Sequence, residues 1–203
     1  QVYGYIDATY LSEEKSLCRY GVVLFVNSCC VYELSRRMID IALSSTESEY
    51  CGLSMGVCDA KYVRRMVLEA MNEPQTGPLM IGQDNKSCIQ IAENPGRHHG
   101  RTKHIDVRLL FLKELCCDRK LFDVVYVASK SNHANAGTKP TASGEFLATR
   151  AVFKGESKEH PALADRVLAR FLGASTPRLW GSHRAVAVQY PMPAANMLTK
   201  RHV

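Results

Sequence analysis

The hydrophobic period of this chain changes once, and sharply. Up to residue 35 the apolar residues come in strand-like blocks rich in aromatic and β-branched types: residues 2–9 (VYGYIDAT), 20–27 (YGVVLFVN) and 29–35 (CCVYELS). Residues 10–19 are polar and loop-like, and Asn27-Ser28 suits a tight turn, so the three blocks predict an antiparallel meander. From residue 46 to 71 the period becomes helical. Glu49, Leu53, Val57, Ala60, Val63 and Val67 share one stripe, with Arg64, Arg65 and Glu69 off it. Thr46-x-x-Glu49 predicts a capping box at the start of this helix, and Pro74 and Gly77 predict its end. A meander exposes an apolar face that only a packed layer can cover, and the helix that follows is the first candidate for that layer.

The rest of the chain alternates. Residues 79–84 (LMIGQD) predict a short apolar strand, and a helix follows from about 85 to 93 until Asn94-Pro95-Gly96 breaks it. Residues 103–117 predict another helix, residues 123–128 (DVVYVA) a fifth strand, and SKSNH a polar loop. The order β-β-β-α-β-α-α-β-α implies an α/β fold: a five-stranded mixed sheet, antiparallel meander then parallel strands, flanked by helices. A right-handed crossover places the fourth strand beside the first and parallel to it. We assign 1–145 to this domain and 146–203 to a C-terminal extension. The extension has one helix at about 161–172, from Pro161 to Gly173, and is otherwise expected to be poorly ordered.

Composition narrows the function classes. The formal net charge of +6 is concentrated late. Residues 1–153 hold 18 Lys and Arg against 17 Asp and Glu, and residues 154–203 hold 8 against 3, so the main body carries little net charge. No apolar stretch is long enough to cross a bilayer, and the first residues lack the pattern of a signal peptide. The missing initiator Met leads us to expect a piece of a longer polypeptide. Eight cysteines include no C-x-x-C pair, which argues against structural zinc and for reduced thiols in an intracellular protein.

Three carboxylates stand out. Asp7 lies in the first strand, where a buried charge is costly unless paired or bound to metal; the alternative places it in the following loop. Glu49 falls on the stripe that faces the sheet, although it could simply cap its helix. Glu47 is turned away from that stripe by about 200° at about 100° per residue. Asp84 ends the fourth strand, where sites form in such sheets, or else caps the next helix. Parallel neighbours one and four would set Asp7 beside Asp84. Converging carboxylates raise one another's pKa, and divalent cations relieve the repulsion. A pair of Mg²⁺ ions suits phosphodiester hydrolysis, one activating water and the other stabilising the leaving oxygen.

The words around these residues carry a resemblance. GYIDAT at 4–9 is similar to G-Y-S-D-A-D, LSSTESEYCGLS at 43–54 to L-S-T-T-E-A-E-Y-x-A-L-S, and QDNKSCIQIAENP at 83–95 to C-D-N-x-S-A-I-x-L-A-x-N-P. RTKHIDVRLLFLKE at 101–114 is similar to R-T-K-H-I-D-I-R-Y-H-F-I-R-E. Over about residues 3–140 the chain thus resembles the ribonuclease H domain of copia-type retrotransposon Pol polyproteins. The resemblance implies a ribonuclease H-like fold and an endonuclease that cuts the RNA strand of RNA–DNA hybrids, leaving 3′-hydroxyl and 5′-phosphate ends. It implies Asp7, Glu49 and Asp84 as catalytic metal ligands for Mg²⁺ or Mn²⁺, two ions in all. It also implies a covalently linked reverse transcriptase in a parent polyprotein, and a cytoplasmic, virus-like-particle or nuclear location.

The chain departs from the pattern at several points. The family's A-D-I-L-T-K reads Ala134-Asn135-Ala136-Gly137-Thr138-Lys139, so Asn135 takes the place of a fourth carboxylate. An amide oxygen can ligate Mg²⁺ but brings no charge. Thr9, Arg19, Glu33 and Ala136-Gly137 also replace family residues. His133 is either a product-release residue or a plain loop histidine. Asn85, Arg101, Lys103 and His104, with Arg97 nearby, are the candidate nucleic-acid contacts, reading 2′-hydroxyls and duplex shape rather than base edges; the alternative for the basic cluster is a solvated helix start. The alternative to an enzyme is a catalytically degenerate ribonuclease H-like module that binds nucleic acid or protein. A third reading, an unrelated nucleotide-binding α/β domain, fares poorly because the chain has no Gly-rich phosphate loop after any strand.

Overall fold

The computed structural model describes residues 2–12, 17–39, 42–74, 77–93 and 103–156, together with Leu163. Strands β1 (Val2–Ser12), β2 (Leu17–Val26) and β3 (Cys29–Arg37) form the expected meander. Asn27 and Ser28 both take positive φ, 47° and 70°, as a two-residue turn between twisted strands requires. β1 runs five residues past Asp7, so Asp7 lies within a paired strand, opposite Gly21 of β2. The loop alternative for Asp7 is thereby excluded.

Helix α1 (Ser45–Met71) follows, and its start corrects the expected cap. Ser44, not Thr46, is the N-cap: its hydroxyl accepts from Glu47 N, 3.1 Å away. Glu47 reaches back to accept from Leu43 N at 2.8 Å, so the reciprocal box is Ser44-x-x-Glu47. This leaves Glu49 free of capping duty. Asn72, in the left-handed conformation, ends the helix before Pro74.

β4 (Leu79–Gln83), α2 (Lys86–Glu93), α3 (Lys103–Lys113) and β5 (Phe122–Tyr126) complete the core. The helix expected over 103–117 stops being α-helical at Lys113 and widens into a π-turn over Glu114–Asp118. The turn keeps Leu115 buried while Leu121 N bonds to Leu115 O, which leads the chain into β5. The sheet order is β3-β2-β1-β4-β5, with β1–β4 and β4–β5 parallel.

Each face of the sheet has its own core. Ile6, Ala8, Val22 and Leu24 pack under Leu53, Val57 and Ala60 of α1, with Leu112, Leu115 and Phe122. The other face carries Tyr3, Tyr5, Val23, Phe25 and Met80. It is covered by Ala134, by Val152 and Phe153 of α4 (Ser143–Phe153), and by Leu163. Leu163 N donates to Tyr5 Oη at 3.0 Å. Residues assigned to the extension therefore contribute to the second core. Apart from Leu163, the helix expected over 161–172 lies outside the described residues.

Candidate active site

The carboxyl ends of β1 and β4 and the first turns of α1 meet at one place. The β1–β4 register pairs Tyr5 with Gly82; continued by two residues, it sets Asp7 level with Asp84. α1 crosses the same end because Gly52 lets it approach: a Cβ there would stand 2.6 Å from the Ala8 methyl. The ligand oxygens of Asp7, Glu49 and Asp84 lie within 4.8 Å of one another. Among the described residues this is the one group of three or more acidic, His or Cys side chains so arranged.

The environment opposes the ionisation of Asp7 and Glu49. Asp7 is fully buried, and burial raises its pKa to about 6 even though Thr138 and Lys139 favour its charged form. Burial raises Glu49 further, to about 8, with the neighbouring charges of Asp7 and Asp84 adding to the effect. Glu49 Oε2 accepts from Ala8 N at 3.2 Å and from Gln83 Nε2 at 3.4 Å. Asp7 Oδ1 is buried and has no hydrogen-bond partner among the described residues. A buried carboxylate oxygen is rarely left so.

The donor set suits a hard divalent cation. Opposed ligands of Mg²⁺ stand about 4.2 Å apart, twice the usual bond length of about 2.1 Å. Oxygens within 4.8 Å need only a small contraction to reach that spacing. The orphaned Asp7 oxygen supplies a ligand already stripped of competing donors.

No family model matches the chain. Over 145 residues, 70% of its length, it is 29% identical to the retrovirus-related Pol polyprotein from transposon TNT 1-94 of Nicotiana tabacum. The match covers 10% of that relative, so the chain spans about a tenth of its length. Among solved structures it is similar to LC11-RNase H1, isolated from compost, at 12% identity and a TM-score of 0.50. That alignment covers 77% of this chain and 99% of the other. The fold is ribonuclease H-like. RNase H1 of Halobacterium salinarum aligns at 17% identity and a TM-score of 0.46, over 72% of this chain and 96% of its own.

In this ribonuclease H-like domain the remaining expected residues fall in different places. Asn85 caps α2, its Oδ1 accepting from Cys88 N at 3.0 Å. The capping alternative for Asp84 is thereby taken by its neighbour. Asn135 sits in a short 3₁₀ turn, His133–Gly137, with its Nδ2 donating to Ser129 O at 2.6 Å. Its amide nitrogen is thus tied to the loop after β5, and its Oδ1 is buried with no partner among the described residues. His133 opens the same 3₁₀ turn in the connection after β5. Its ring packs edge-on to Tyr5, with centroids 5.1 Å apart, on the second core, and burial lowers its pKa. Arg97 and Arg101 lie outside the described residues, as do the side chains of Lys103 and His104.

Sequence reasoning missed three residues that hold the site. Gln83 is fully buried; its Oε1 accepts from Asp84 N at 2.7 Å while its Nε2 holds Glu49. A polar residue closing an otherwise apolar strand was the signal. Thr138 Oγ1 donates to Asp7 Oδ2, and Lys139 Nζ lies 3.7 Å from the same oxygen. Both stand just after Asn135, in the stretch Ala134–Lys139. Their turn docks on β2 because residue 21 is glycine: a Cβ there would meet Ala134 O at 2.8 Å.

Proposed function

We propose that this ribonuclease H-like domain is a metal-dependent endonuclease that hydrolyses the RNA strand of RNA–DNA hybrids during retrotransposon reverse transcription. The observation that carries the reading is the convergence of Asp7, Glu49 and Asp84, whose ligand oxygens lie within 4.8 Å of one another, at a buried Asp7 carboxylate with one oxygen unpartnered among the described residues. The transposon Pol polyprotein relative supports the polyprotein setting, in which a linked reverse transcriptase is part of the proposal. Asp7, Glu49 and Asp84 would hold Mg²⁺ or Mn²⁺, which supplies Lewis acidity and lowers the pKa of the attacking water. The chain's own part is positional. Gln83 and Ala8 N aim Glu49, the β1–β4 register aims Asp7 and Asp84, and burial keeps the Asp7 and Glu49 carboxyls poorly solvated. Lys103, His104 and Arg101 are proposed to contact the backbone of the hybrid, and Asn85 to reach it from the start of α2.

A labelled hybrid incubated with the protein and Mg²⁺ or Mn²⁺ tests this reading. Cleavage confined to the RNA strand, abolished by chelator and by Asp84→Ala, is the expected result. Cleavage no greater than that of Asp84→Ala would sink it. The side chain of Asn135, bonded to Ser129 and bringing no charge, favours a second reading: a degenerate module that binds hybrid without cutting it. Cleavage gained only in Asn135→Asp would show a weakened enzyme instead.

A further inference from the structure

The two oxygens of Asp7 have different surroundings. Oδ2 takes the Thr138 hydroxyl and faces the Lys139 ammonium at 3.7 Å, while Oδ1 has no hydrogen-bond partner among the described residues. Lys139 is held there from its backbone side. Lys139 N bonds to Asn135 O at 3.2 Å, and Thr138 O accepts from Thr9 Oγ1 at 2.7 Å. These bonds pin the turn to β1, while the lysine side chain stays 42% exposed and can approach Asp7 without being desolvated itself.

The charges then count simply. Once a metal displaces their protons, three ionised carboxylates and one ammonium sum to −2, which a single divalent cation neutralises. Asn135 adds nothing to that sum. A second divalent ion on Asp7 Oδ2 would stand about 4 Å from the ammonium, a separation at which repulsion is strong even where water penetrates.

We propose that Lys139 is a cation built into the site. The free protein binds one divalent ion, on Asp7 Oδ1 with Glu49 and Asp84, and Lys139 occupies the second cation's place at Asp7 Oδ2. The proposal rests on the metal-site reading above. It assigns Lys139 a positioning role: it orients Asp7 and sets how many ions the site accepts.

Manganese titration of the metal-free protein, with free Mn²⁺ counted by electron paramagnetic resonance, tests it. Wild type is expected to bind one ion, and Lys139→Arg the same. Lys139→Gln, a surface change that leaves the core intact, is expected to bind its first ion about tenfold more tightly and to take up a second. If wild type and Lys139→Gln both bind with the same stoichiometry and affinity, the lysine role is overturned and the metal site stands. If neither variant nor wild type binds Mn²⁺, both readings fail together. Two ions on wild type overturn the proposal directly.

Discussion

Asp7→Asn should stabilise the metal-free protein while destroying its metal site. Burial raises the carboxyl from an ordinary 3.8 to about 6. At about 1.36 kcal/mol per pH unit, ionising Asp7 in the fold costs about 3 kcal/mol more than in the unfolded chain. The folded value lies above the unfolded one, so the protonated form contributes stability that is present below about pH 4 and lost as pH rises through about 6. Asn keeps the shape and cannot ionise. Its carbonyl can accept the Thr138 hydroxyl, and its amide can donate toward Glu49 and Asp84, relieving a like-charge contact. Because Glu49 shares that repulsion, the gain above pH 7 is about 1–3 kcal/mol. For a domain of this size that is a rise of about 3–10 °C in Tm. Thermal melts in chelator at about pH 4 and about pH 8 measure it. A variant that melts below wild type at the higher pH, or gains equally at both, refutes burial as the source of the cost.

Three further outcomes follow from the same geometry. Divalent-ion affinity should climb as pH rises from about 6 to about 8, because protons on Asp7 and Glu49 compete with metal; calorimetric titration across that window would show a flat profile if the pKa values are ordinary. Gln83→Leu should lower kcat and weaken metal binding, while costing about 1–3 kcal/mol of stability, since Glu49 and Asp84 N lose a buried partner; unchanged metal affinity would remove Gln83 from the site. Gly52→Ala should cost about 1–3 kcal/mol by denaturant melt, because its methyl meets Ala8 at the α1–β1 contact, and a neutral result would mean that contact yields freely.

The fold was legible because it rests on periodicity. Five strands follow from apolar blocks and the place of the fourth beside the first from one crossover rule; the structure shows β1 and β4 parallel as that rule requires and adds β5 at the outer edge of β4. The carboxylate trio was legible for a related reason: a helical stripe separates Glu49 from Glu47, and the ends of parallel strands set Asp7 beside Asp84. The caps depend on which of two nearby residues wins a local hydrogen bond. Ser44 rather than Thr46 caps α1, and Asn85 rather than Asp84 caps α2. Both outcomes release a carboxylate for the site, and neither shows in spacing alone. Gln83, Thr138 and Lys139 were hidden because their partners are far along the chain. The Thr138–Asp7 contact spans 131 residues, and no local pattern encodes it. α4 escaped because its helix exposes Phe146 and Leu147 and buries no residue fully, so no clean stripe marks it.

The central claim is that Asp7, Glu49 and Asp84 together hold a divalent ion. Anomalous diffraction from crystals soaked in Mn²⁺ measures this most directly. The account predicts a peak at coordinating distance from Asp7 Oδ1 and from carboxylate oxygens of Glu49 and Asp84, absent from Asp84→Ala crystals grown alike. No peak among the three carboxylates at saturating Mn²⁺, or a peak there that persists in Asp84→Ala, would contradict it.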